Sequence, residues 1–278
     1  MCIKSETIVS GSPFSGYITQ WRLVPDGQPI TTHSSDLLPV LYNGLPAILK
    51  VAREPEERWG GPLMVWWNGE GAARVLAHDD DALVLERAMG EGSLEEMAQN
   101  GLDDEASRII CSVAAKLHAP RALAPPELIP LSRWFAELEP AALRVGGILR
   151  LAWETSRELL HEPQDVGVLH GDLHHGNVLD AGARGWLAID PKRLSGERGF
   201  DFANIFCNPD LEIAAAPGRL RKQATVIAEA AKLDRRRLLK WILAYAGLSA
   251  AWSLGSQDED AELAFQIADL AAAELENC

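Results

Sequence analysis

The sequence predicts an α+β protein of two lobes, a small antiparallel β-sheet N-lobe and a larger, mainly helical C-lobe. Two patterns and the break between them carry this expectation. Up to Glu86 the chain reads as short apolar runs separated by turn dipeptides, the pattern of strands and hairpins. From Ser93 onward apolar residues recur at helical spacing. The stretch from Arg87 to Gly92 has neither pattern and reads as a connection. The expected division is a strand-rich lobe over 1–86, a hinge over 87–92 and a helical lobe over 93–278. Ligands favour the cleft between two such lobes.

Taken in order, Thr19 to Val24 reads as a first strand, ended by the turn signal Pro25-Asp26-Gly27. Leu37 to Tyr42 and Pro46 to Val51 flank Asn43-Gly44, the dipeptide of a two-residue hairpin, so they are expected to pair. A short helix is expected around Glu54 to Trp67, then strands at Ala72 to Leu76 and Ala82 to Glu86. Ser93 and Glu96 have capping-box spacing, and Asp103 to His118 keeps its apolar residues on one helical face. Pro120, Pro125, Pro126 and Pro130 interrupt the chain before helical patterning resumes over Leu131 to Leu160. Gly167 to His170 and Trp186 to Ile189 read as strands, and the chain from Ala224 onward as helix. The role of residues 1–20 is left open between an extra strand, a flexible arm and a start-site artefact.

Hydrophobic residues make up 47% of the 278, an ordinary globular share. The formal charge of −14 argues against a nucleic acid partner, which requires a basic footprint, and suits a cationic small molecule. The Met1 to Ser10 segment has no signal-peptide run, and no stretch approaches the roughly 18 apolar residues of a membrane span, so no membrane partner is expected. Cys2, Cys111, Cys207 and Cys278 are scattered without a C-x-x-C pair, as free thiols in a reducing compartment would be. A cytoplasmic monomer or weak dimer is expected.

The chemistry is carried by His170-Gly171-Asp172-Leu173-His174-His175-Gly176-Asn177, which fits H-x-D-x-x-x-x-N. In phosphoryl transfer an Asp orients the attacking hydroxyl and takes its proton, and an Asn five residues on turns back to ligate Mg²⁺. Asp190, at the end of the apolar run Trp186 to Ile189, supplies a second carboxylate for the metal. Alone, such an Asp is more often a turn former, but the conjunction of motifs points to a kinase-type site using ATP and Mg²⁺. His174 and His175 lack metal-site spacing and are read as shaping the loop.

Ala47-Ile48-Leu49-Lys50 resembles the strand whose lysine contacts ATP phosphates, with Glu57 as its expected ion-pair partner and Glu54 and Glu56 as competitors. Where a glycine-rich loop would cover the phosphates, the chain has Thr31-Thr32-His33-Ser34-Ser35-Asp36, so Ser34 and Ser35 are the candidate contacts. Glu86 to Ala88 follow the strand where an adenine-binding connection is expected, with Glu86 and Ala88 as candidates through their backbone groups.

With these residues in place, the chain resembles the aminoglycoside phosphotransferases, whose fold is protein-kinase-like, and more narrowly the aminoglycoside/hydroxyurea resistance kinases that act on the 6-hydroxyl of streptomycin. The resemblance runs from about Trp21 to the C-terminal helices. Trp66-Trp67, Asp201-Phe202-Ala203-Asn204-Ile205-Phe206 and Leu248-Ser249-Ala250-Ala251-Trp252 are its more specific segments. It implies Asp172 as catalytic base, Asn177 and Asp190 as magnesium ligands and Lys50 as phosphate contact. Streptomycin carries two guanidinium groups, which pair with carboxylates and stack on aromatic rings. The candidates near the site are Glu197, Asp201, Asp210 and Trp252, with Asp258-Glu259-Asp260 beyond. Asp201 has the alternative role of bracing the catalytic loop, and Trp252 that of a core residue. Competing expectations are a kinase of the same fold acting on hydroxyurea or another amino sugar or alcohol, and an inactive binding module. A protein kinase is disfavoured because Asp190 lacks the following Phe-Gly and no Ala-Pro-Glu comes after it.

Overall fold

The hairpin at Asn43-Gly44 organises the first lobe. In the computed structural model, which describes residues 12–53, 60–254 and 259–277, both turn residues have positive φ, 51° and 80°. That is the conformation of the two-residue turn that twists with its strands. It joins β3 (Ser35–Tyr42) to β4 (Leu45–Ala52) in antiparallel register from Ser35↔Ala52 to Tyr42↔Leu45. The remaining strands are β1 (Val24–Pro25), β2 (Ile30–Thr31), β5 (Val75–His78) and β6 (Ala82–Glu86). The order is β1-β3-β4-β6-β5, with β2 added to β3.

Strand alternation decides what meets the cleft. Leu38, Val40, Ala47, Leu49, Val51 and Val84 are buried on one face together with Phe14. Leu37, Pro39, Ile48, Lys50 and Leu85 fall on the other face and line the space between the lobes. A one-residue register slip would exchange the two sets and take Lys50 out of the cleft.

Thr19 to Val24 is not a strand. Thr19 to Trp21 end α1 (Ser15–Trp21), Arg22 caps it in the left-handed region, and of this stretch Val24 alone enters a strand, β1. Phe14, Tyr17, Ile18 and Trp21 recur at three and four residues, and all four pack on the sheet's buried face, with Tyr17 stacked on Trp21 at 5.3 Å. That periodicity overrides the β propensity of the local residues. The strand expected at Ala72 starts at Val75, because Ala72 instead bridges in parallel to Ala188 of the C-lobe. Of the helix expected from Glu54, α2 (Gly60–Trp67) is seen, and 54–59 lie outside the described residues.

Ser93 caps α3 (Leu94–Gln99), its hydroxyl accepting the Glu96 N–H at 3.2 Å. After α4 (Asp103–Leu117), the helical stretch from Leu131 is not continuous. It forms α5 (Leu131–Trp134), a short turn, α6 (Leu138–Val145) and α7 (Gly147–His161), broken at Gly146-Gly147 where both φ are positive. The chain ends in α8 (Leu211–Ala214), α9 (Arg219–Ala231), α10 (Arg235–Trp252) and α11 (Glu259–Glu276). Between these lie β7 (Ile129–Pro130), β8 (Val166–Leu169) and β11 (Leu194–Glu197) in one small sheet, and the hairpin of β9 (Val178–Asp180) and β10 (Trp186–Ala188). No helix among the described residues is long and apolar enough to cross a membrane. Cys111 and Cys207 are free thiols, and burial pushes both up to about 12.

The axis of this lobe is α10, whose Leu238, Trp241, Ile242, Ala246 and Leu248 are all buried. It comes so close to α7 at Gly247 that an added Cβ would stand 2.2 Å from Ala152 Cβ. Gly247→Val is therefore expected to lower stability by about 2–3 kcal/mol through overpacking. The urea unfolding midpoint measures this, and an unmoved midpoint would mean that the two helices part without cost.

Candidate active site

The loop after β8 is shaped from its backbone outward. Gly171 has φ +86°, and a Cβ there would stand 2.7 Å from Leu194 Cδ1, so both conformation and space call for glycine. The loop's amides converge on a buried carboxylate. His170 N–H donates to Asp201 Oδ2 at 2.9 Å and Gly171 N–H to Oδ1 at 2.7 Å. His118 Nε2 reaches Oδ2 at 2.7 Å. Burial pushes the Asp201 carboxyl up, but the hydrogen bond to His118, with the neighbouring His170 and the Gly171 amide, more than reverses this and holds it below its ordinary value.

His170 ties the two carboxylate-bearing loops together. Its Nδ1 accepts the Asp172 N–H at 3.2 Å, which leaves Nε2–H to donate to the Ile189 carbonyl at 2.8 Å. Burial lowers its pKa, so the ring is neutral and keeps this tautomer. Trp67 stacks on it at 6.0 Å. From the other side Lys192 N–H donates to the His170 carbonyl at 2.7 Å.

Asp172 is thereby presented with both oxygens engaged at their rear. Asn204 Nδ2 donates to Oδ1 at 2.8 Å, Asn177 Nδ2 approaches Oδ2 at 3.3 Å, and Lys192 Nζ lies 3.6 Å from Oδ2. The carboxylate remains 26% exposed, which is the access a reacting hydroxyl needs. Asn177 Nδ2 also donates to the Asp172 carbonyl at 2.8 Å. With its amide nitrogen committed, Asn177 offers only its oxygen outward. The Ile189 N–H to Asn177 carbonyl bond, 3.0 Å, sets Asn177 and Asp190 side by side at the ends of β9 and β10.

Lys50 reaches across the cleft to Asp190 Oδ1 at 2.7 Å. Asp190 adopts φ 60°, a left-handed conformation that Asp tolerates better than bulkier residues. Glu57 lies outside the described residues. The cleft above is a largely apolar cavity of ≈ 400 Å³ lined by Ile30, Leu37, Ile48, Leu85, Leu187 and Ile189, with Lys50 and Asp190 at one end. Glu86 and Ala88 border it. The Glu86 side chain accepts the Arg74 N–H at 2.6 Å and pairs with Arg184, and its N–H donates to the Arg74 carbonyl at 2.9 Å. Between β2 and β3, Thr32 Oγ1 donates to the Ser35 carbonyl at 2.9 Å and accepts its N–H at 3.0 Å. Ser35 is buried in this turn, which corrects its assignment as a side-chain phosphate contact and leaves Ser34 at the tip.

Three expected substrate carboxylates have internal partners instead. Asp201 is the brace of the catalytic loop. Glu197 is buried against Arg237, whose Nε and Nη2 donate at 2.6 Å each, and also takes Trp241 Nε1 and the Gln164 N–H. Asp210 caps α8 through the Ile213 N–H at 2.9 Å and accepts Gln99 Nε2. Each is a carboxylate used to fix the backbone, a common fate for Asp and Glu in loops. Trp252 is different. It is 42% exposed and meets Trp134 edge-on at 5.5 Å. Both border a ≈ 550 Å³ cavity with Arg133, Glu137 and Lys192. The side chains of 258–260 lie outside the described residues.

Asn204 and Lys192 are the site residues that the motifs missed. Asn204 follows Asp201 by three residues in a tight turn, and that spacing was the available signal. Lys192 lies two residues past Asp190 and has none. As expected, His174 and His175 shape the loop. His174 Nδ1 accepts the Gly176 N–H, and buried His175 lies 3.8 Å from Asp103.

A strand-borne lysine, a looped Asp with its Asn, and a second Asp across a nucleotide-sized cleft define a phosphotransferase of protein-kinase-like fold. The chain belongs to the aminoglycoside/hydroxyurea antibiotic resistance kinase family, whose model matches residues 20–256. It is 52% identical over 241 residues to streptomycin 3''-kinase of Klebsiella pneumoniae, covering 85% of this chain and 90% of that protein. To streptomycin 6-kinase of Streptomyces griseus it is 32% identical over 273 residues, 92% of this chain and 86% of the other. Among solved structures, a thermostable mutant of aminoglycoside phosphotransferase APH(4)-Ia superimposes with a TM-score of 0.66 at 16% identity, covering 93% of this chain and 98% of that one.

The brace makes a test. Asp201→Asn is expected to lower stability by about 3 kcal/mol, because an amide presents a donor to groups that all donate. Since folding lowers the Asp201 pKa, its contribution is complete above the ordinary value of 3.8 and lost as pH falls toward the folded value. The wild-type advantage over Asp201→Asn in urea should thus be flat near neutrality and shrink below about pH 4.

Proposed function

We propose that the protein transfers the γ-phosphoryl group of ATP to a hydroxyl of streptomycin, with Mg²⁺ as its metal. The observation that carries this is the pairing of Asp172, open to an acceptor, with Asn177 and Asp190, aligned behind it at the cleft. Asp172 orients the hydroxyl and takes its proton, held in place by Asn204 and Asn177. Lys50 contacts the donor phosphates and moves from Asp190 toward them. The apolar cleft takes the adenine, with backbone groups of residues 86–88 at its edge and 87–92 acting as the hinge. Asn177 Oδ1 and the Asp190 carboxylate are hard oxygen donors that would hold a magnesium ion. When bound, the ion neutralises charge on the phosphates. The −14 charge supports a cationic acceptor.

For position, the motif resemblance pointed to the 6-hydroxyl, whereas the 52% identity to a 3''-kinase, against 32% to a 6-kinase, favours the 3''-hydroxyl. We adopt 3'' and keep 6 as the second reading. Incubation with MgATP and streptomycin should add one phosphate by mass, and NMR of the product then reads which hydroxyl carries it. Phosphate on the 6-hydroxyl would overturn the position, and transfer to hydroxyurea alone would overturn the substrate.

Asp172→Asn is expected to reduce kcat by about 10³-fold or more while ATP affinity changes little. Turnover within tenfold of wild type would remove Asp172 from the role of base.

A further inference from the structure

The donor side of the site has Lys50, and the transferring phosphoryl group spreads its charge over three equatorial oxygens, more than one cation can contact. Two cations, Arg133 and Lys192, border the cavity on the other side of Asp172, and Lys192 lies beside the carboxylate. The Lys192 backbone is pinned to the catalytic loop by its N–H bond to the His170 carbonyl, 2.7 Å. Its stem runs against Gly171, where an added Cβ would stand 3.1 Å from Lys192 Cβ. This brings Nζ to 3.6 Å from Asp172 Oδ2, while the same side chain forms part of the wall of the cavity bordered by Trp134, Trp252 and Glu137. Lys192 thus lies where base, acceptor and phosphoryl group must meet. At 25% exposure it is open enough to touch a ligand and shielded enough for its charge to act.

We propose that Lys192 is a second catalytic cation, contacting the transferring phosphoryl oxygens from the acceptor side. This rests on the phosphotransferase reading of the site. In the step it assists, the acceptor O–H bond breaks and its proton passes to Asp172. The acceptor oxygen forms a bond to the γ-phosphorus, and the bond from that phosphorus to the β–γ bridging oxygen breaks, its electron pair leaving on ADP. Lys192 stays an ammonium throughout and exchanges no proton. Its contact to Asp172 at rest keeps it in position, and it gains contact to the phosphoryl oxygens as their charge shifts. A contact that strengthens in the transition state raises kcat and leaves nucleotide KM largely alone.

The test compares the full chain with Lys192→Met and Lys192→Arg. In Lys192→Met, kcat should fall about 100-fold, a loss of the size seen when one transition-state charge donor is removed. KM for ATP should stay within about threefold and the urea midpoint unchanged, and Lys192→Arg should recover at least about tenfold of the lost rate. Affinity for Mg·ADP with aluminium fluoride, a mimic of the transferring group, should drop about tenfold or more in Lys192→Met while affinity for ADP alone holds. This last measurement needs no aminoglycoside, so it decides the role of Lys192 even if streptomycin is not the acceptor. Equal fluoroaluminate affinity in Lys192→Met and wild type overturns the proposal. A loss confined to acceptor KM would do the same, and make Lys192 only a wall of the acceptor cavity.

Discussion

The site depends first on the buried Asp201 carboxylate. A loop that must point a base at a substrate cannot also form regular structure, so its amides need partners that secondary structure does not supply. Asp201 supplies them to His170 and Gly171 at once. A buried carboxylate is costly unless its lone pairs are filled. Three donors, two of them backbone, fill this one. The loop's shape and the carboxylate's ionisation therefore sustain each other, and His170 carries that rigidity across to Ile189 and the Asp190 loop. The loops that carry Asp172 and Asp190 are thus tied together through a neutral imidazole.

The second constraint is the alternation of β3, β4 and β6. One side of the sheet is committed to α1, so the other side delivers Leu37, Ile48, Lys50 and Leu85 to the cleft without any further device. Lys50 and Asp190 then pair across the lobes at 2.7 Å. Lys50 is buried, at 8% side-chain exposure, and Asp190 is half-buried, at 32%, so each carries a charge that the other compensates.

The sequence made the two lobes, the hairpin and the motif residues legible because each rests on a local rule: a turn dipeptide, an alternation, a spacing. Asp172, Asn177, Asp190 and Lys50 are read this way, and the structure places them around one cleft. What failed was non-local. Glu197, Asp201 and Asp210 could each be a ligand carboxylate on chemical grounds, and only Arg237, the loop amides and the α8 N-terminus show that their oxygens are already used. Val75 replaced Ala72 as a strand start because a C-lobe residue, Ala188, claimed Ala72. Lys192 was invisible for the same reason, since its meaning comes from Asp172, twenty residues away in the chain and 3.6 Å away in space. The α1 error was of another kind. There a helical spacing was present in the sequence, and a shorter β-like run within it was given more weight.

A kinase with an anionic donor and a cationic acceptor must present opposite charge to each within one cleft. Lys50 stands against Asp190 and Lys192 against Asp172, whereas the molecule as a whole carries −14. Coulomb energy favours this segregation. At a few ångströms and partial burial a single lysine outweighs distant carboxylates screened by water and salt, so the centre attracts phosphate. Farther out the summed acidic field dominates and draws in a cationic acceptor. Between the two regimes lie Trp134 and Trp252, whose ring faces attract a guanidinium. The same cavity wall carries Glu137 and Arg133, one charge of each sign, beside the rings. In the proposed reaction such a wall would hold the acceptor's charge back from Asp172 and leave that carboxylate for a hydroxyl.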